Sequence, residues 1–105
     1  MSWGNIYNVA VTSAFSGDAL PAVKNAIHTA YFDDDTHYPM IGVCDMRAAD
    51  AFTVTFNKEN TLAAVKMPSG EYGITYAGGI DQIKFEASIT LTWFQVQWAY
   101  AGVTK

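Results

Sequence analysis

The run Phe85-Glu86-Ala87-Ser88-Ile89-Thr90-Leu91-Thr92-Trp93-Phe94-Gln95-Val96-Gln97-Trp98-Ala99-Tyr100 decides how this chain folds. Its odd positions carry Phe85, Ala87, Ile89, Leu91 and Trp93, then turn polar at Gln95 and Gln97. Its even positions carry Glu86, Ser88, Thr90 and Thr92, then turn apolar at Phe94, Val96, Trp98 and Tyr100. Alternation with a period of two is the signature of a β-strand. Successive side chains of a strand face opposite ways, so one unbroken register cannot bring both apolar sets into one core. A β-bulge between Trp93 and Phe94 restores the register. A strand that bends and passes from one sheet to another does so too. In the third arrangement the second apolar face meets another subunit. That arrangement makes Phe94, Val96, Trp98 and Tyr100 the expected binding or interface residues, because contiguous exposed apolar patches are uncommon on monomers. Trp98 is then the expected hot spot, since large aromatics dominate interface energetics.

Working back from this run, the rest of the chain is also strand-rich. Asn5–Ser13 reads as a strand in which Tyr7, Val9 and Val11 alternate with Asn8, Ala10 and Thr12. Ser16-Gly17-Asp18 reads as its break. Leu20, Val23, Ile27, Ala30 and Tyr31 then share one face of a helix with 3.6 residues per turn, and Lys24, Asn25, His28 and Thr29 share the other. Pro21 suits a first turn, where its missing N–H is not needed, and Asp18 is placed to cap it. The spacing predicts a helix that starts between Asp18 and Pro21 and ends near Phe32. Pro39 reads as a stop, and Met40–Asp45 as a short apolar strand. Phe52, Val54 and Phe56 alternate with Thr53, Thr55 and Asn57, a half-buried strand. The turn Asn57-Lys58-Glu59-Asn60 and the return Thr61–Met67 predict a hairpin. Tyr72, Ile74 and Tyr76 predict one more strand. The expected fold class is α+β to mainly β: a single small domain over residues 1–105. About six short, mostly antiparallel strands form a sandwich or curved sheet, with one N-terminal amphipathic helix beside it.

Composition narrows the function classes. Only 15% of the residues are charged and 14% are aromatic, where about 25% charged is ordinary. A surface poor in charge is easier to bury against a neighbour, because fewer charges need be desolvated. The formal charge is −4, and no two of the basic residues are adjacent. Nucleic-acid binding, which shows a basic stripe, is therefore not expected. No apolar run approaches the length that spans a bilayer, so a membrane is not expected either. Met1-Ser2-Trp3-Gly4-Asn5 has neither the basic nor the apolar region of a signal peptide, which leaves the localisation unknown. The expectation is cytoplasmic synthesis, compatible with incorporation into a particle. Met1-Ser2-Trp3 resembles the opening of profilins over three residues. The terminal helix and basic surface of that family have no counterpart, and nothing is carried over from it.

Chemistry-bearing residues are few. Cys44 is the only cysteine, and Ile41-Gly42-Val43-Cys44 reads as a buried strand, which makes Cys44 an inert structural thiol. His28 and His37 read as surface histidines. One Cys and two His without paired spacing do not make a zinc site. Asp33, Asp34 and Asp35 offer hard oxygen ligands for calcium, which Asp45, Asp50 or Asp81 could join, but no Gly or Glu follows in the EF-hand pattern. A solvated acidic loop without metal is the expectation. Glu59, Glu71 and Glu86 could in principle form an acid–base pair. No phosphate loop or nucleophile elbow is present, so no catalytic residue and no cofactor are expected. The leading expectation is a non-enzymatic structural protein that self-associates into homo-oligomers, such as a small virion or shell component. The alternative is a carbohydrate-binding, lectin-like module with a glycan as ligand, resting on the aromatic residues and the acidic loop.

Overall fold

In a computed structural model the chain is mostly antiparallel β-sheet with one helix. The structure describes residues 4–33, 37–50, 52–56, 70–75 and 79–104. In chain order the elements are β1 (Asn5–Asn8), β2 (Phe15–Asp18), α1 (Leu20–Tyr31), β3 (His37–Ala48), β4 (Val54–Thr55), β5 (Gly70–Thr75), β6 (Lys84–Ile89) and β7 (Leu91–Thr104). They form a four-stranded sheet in the order β1-β7-β3-β5 and a three-stranded sheet in the order β2-β6-β4. Among the described residues the strands number seven, against an expected six. The expected hairpin across Asn57 and the return Thr61–Met67 lie outside the described residues, as do Met1–Trp3 and Tyr76.

The deciding run leaves one sheet and enters the other. β6 pairs with β2 and β4, and β7 pairs with β1 and β3, with Thr90 between them. The early chain makes the same passage in reverse, from β1 to β2, so that two segments run antiparallel to each other through both sheets. A bulge completes the change of face. Arg47 stands opposite Trp93 and Ala48 opposite Leu91, which leaves Thr92 as the extra residue. Thr92 Oγ1 donates to the Arg47 carbonyl there, at 3.1 Å. Phe85, Ile89 and Leu91 therefore share a core with Phe94, Val96 and Trp98 although they sit on alternate parities. Phe94, Val96 and Trp98 are 1%, 0% and 2% exposed, and so belong to the domain's own interior rather than to an outer interface. Of the four expected interface residues only Tyr100 is exposed. Ala87, on the apolar parity, is also exposed, at a register irregularity between β2 and β6.

The one helix among the described residues is α1, Leu20–Tyr31. Leu20, Val23 and Ile27 are buried in the core. Pro21 sits in the first turn. Asp18 does not cap in the usual manner; Ala19 holds the cap position without a side-chain bond. Instead Asp18 Oδ1 accepts from the Leu20 N–H at 3.1 Å and the Ile83 N–H at 2.9 Å. One carboxylate thus ties the start of the helix to the chain entering β6. Ala30 and Tyr31 depart from the expected buried face and are exposed.

Three other elements differ from the sequence reading. Ser16-Gly17-Asp18 belongs to a strand rather than a break: Gly17 adopts φ +67°, which glycine reaches without strain, at the irregularity opposite β6. β1 stops at Asn8, because the chain then crosses between sheets, although the Val9 N–H still donates to the Phe94 carbonyl at 2.8 Å. Pro39 does not end β3. It sits inside the strand at a register shift between Tyr38 and Pro39, a bulge where a ladder N–H is not required. Phe52, Val54 and Phe56 are buried as expected, and Thr55 is buried with them.

Candidate functional site

The overhanging end of α1 carries the most distinctive surface. Ile27 is the last buried residue of the helix, and its last turn meets the sheet through aromatic rings. The Tyr31 ring lies tilted on Trp98 at 5.4 Å between centroids and meets Tyr7 edge-on at 6.4 Å. Phe32, just past the helix, packs on Trp98 at 5.7 Å and on Tyr100 at 4.7 Å. Trp98 and Tyr100 meet edge-to-face at 4.8 Å. On the far side His28 stacks on Phe32 at 5.3 Å and on Tyr38 at 4.7 Å. Such ring pairs contribute about 0.5–1.5 kcal/mol each beyond their burial.

Two polar links fix the arrangement. Tyr100 Oη donates to the Tyr31 carbonyl at 3.2 Å, joining β7 to the last helical turn. Tyr38 Oη donates to Asn25 Oδ1 at 2.8 Å, joining the start of β3 to the same helix. Tyr31 and Tyr100 are nevertheless 53% and 60% exposed. The result is a shelf: two open tyrosines backed by Phe32 and by Trp98, which is buried. His28 is half-buried between two rings rather than a free surface histidine. Its Nε2 and Trp98 Nε1 are buried without a hydrogen-bond partner among the described residues. Asp33 follows Phe32 and is exposed. Asp34 and Asp35 lie outside the described residues.

The remaining chemistry-bearing residues are scattered. Cys44 is 0% exposed within β3. Burial pushes its thiol well above the ordinary cysteine range, and the neighbouring Asp45 charge adds to the shift. The thiolate is the reactive species, so a thiol reagent should label the native protein slowly and the denatured protein fast. Rapid native labelling would contradict this burial. Lys24 is half-buried, and desolvation lowers its pKa although Asp18 and Asp81 oppose the shift. Glu86 is exposed, Glu59 is outside the described residues, and the side chain of Glu71 is likewise not described. Among the described residues no group of three His, Cys, Asp or Glu side chains could hold a metal ion. A groove of about 350 Å³ runs between α1, β1 and β2, lined chiefly by Ala10, Ala14, Ala19, Ala22 and Ala26 with Tyr7 and Phe15.

Reasoning from sequence singled out Trp98 and Tyr100, of which Trp98 is buried in the core and Tyr100 is exposed, and it missed Tyr31 as an exposed residue. Tyr31 fits the apolar helical face by spacing, and spacing alone does not tell that it is 53% exposed.

Among the described residues no helix is long and apolar enough to cross a membrane. Comparison with protein-family models, with curated proteins and with solved structures finds no match to this chain.

Proposed function

We propose that this protein is a non-enzymatic assembly protein that self-associates through the shelf formed by Tyr31 and Tyr100, its two sheets forming a sandwich behind it. The observation that carries the reading is that both tyrosines are more than half exposed yet held by ring contacts and by the bond between them. Rings already fixed in place lose little conformational freedom on binding, and tyrosine is among the residues that dominate interface energetics. The low charge of the chain supports the same reading. The expected contact thus moves from Phe94, Val96 and Trp98, which are core, to Tyr100 and its neighbour Tyr31. A particle built from many copies, such as a virion or shell, is the setting this reading fits.

The test is mass in solution, by sedimentation or light scattering, over a range of concentrations. The wild-type protein should form an oligomer. Tyr31→Ser with Tyr100→Ser should weaken association by about 30-fold or more, the equivalent of a hot spot worth about 2 kcal/mol. A wild-type protein that stays monomeric at about millimolar concentration, where even weak specific contacts register, would end the assembly reading.

A further inference from the structure

We draw no further inference here: the strongest candidate, the alanine-lined groove between α1, β1 and β2, is an unpartnered apolar surface, and nothing in the structure shows what covers it.

Discussion

Trp98→Ala is expected to destabilise the folded protein by about 3–5 kcal/mol rather than to release an otherwise intact subunit. Trp98 is 2% exposed and touches Tyr31, Phe32 and Tyr100. Its removal leaves a cavity under the shelf and takes away the ring on which the last helical turn rests. A small domain has only about 5–15 kcal/mol in all, so the loss is a large share of the total. Trp98→Phe separates packing from polarity. It keeps an aromatic ring against Tyr31 and Phe32 and removes an indole N–H that has no partner among the described residues. A buried donor left unpaired costs about 1–3 kcal/mol, so Trp98→Phe should lose far less than Trp98→Ala. Urea midpoints at one fixed protein concentration measure both, since self-association would otherwise shift them. Equal losses for the two variants would mean that the indole nitrogen is bonded in the folded protein. An alanine variant with unchanged stability but reduced mass would return Trp98 to the interface.

The same residue shows where sequence reading runs out. Alternation identified the strand and placed its change of face between Trp93 and Phe94, whereas the register shifts at Thr92 and sets Trp93 on the face of Gln95. It could not choose between a bulge, a passage between sheets and an intermolecular face, because all three give the same periodic pattern. The structure uses the first two together, with the passage at Thr90 and the extra residue at Thr92. Neither position holds a glycine or a proline. The choice is made by the partner strands, which lie far away in sequence. Pro39 misled for the opposite reason. Its missing N–H forbids a regular ladder position, but a bulge needs no such donor, and the bulge is visible only in the register with β7. Gly17 and Asp18 carry turn chemistry and yet occupy a strand, because the carboxylate satisfies two backbone N–H groups at its end.

The candidate surface was legible only in part. The aromatic composition pointed to rings that could bind something, and Tyr100 was among them. Which rings stay exposed depends on where helix and sheet stop overlapping, and a single sequence does not carry that geometry. His28 is the clearest case. Helical spacing put it on the polar side, but Phe32 and Tyr38 reach it from beyond the helix and enclose it.

The helix was read most securely, and its core residue gives the second large effect. Ile27 is 0% exposed, at the middle of the face that also holds Leu20 and Val23. A periodic stripe works as a sequence signal because one rigid element must bury the whole stripe against a single surface. Ile27→Ala removes three carbons from that stripe and should cost about 2–5 kcal/mol, depending on how far the surroundings collapse into the space. Ala30→Ser on the same helix is a control. Ala30 lies on the same stripe by spacing but is exposed, so a surface change of about 0.5 kcal/mol or less is expected there. The contrast between the two separates the packed length of the helix from its overhang. A small loss at Ile27 would mean that the helix does not dock through this face. A large loss at Ala30 would mean that the helical end is covered, and the tyrosine shelf would then have no open surface to offer.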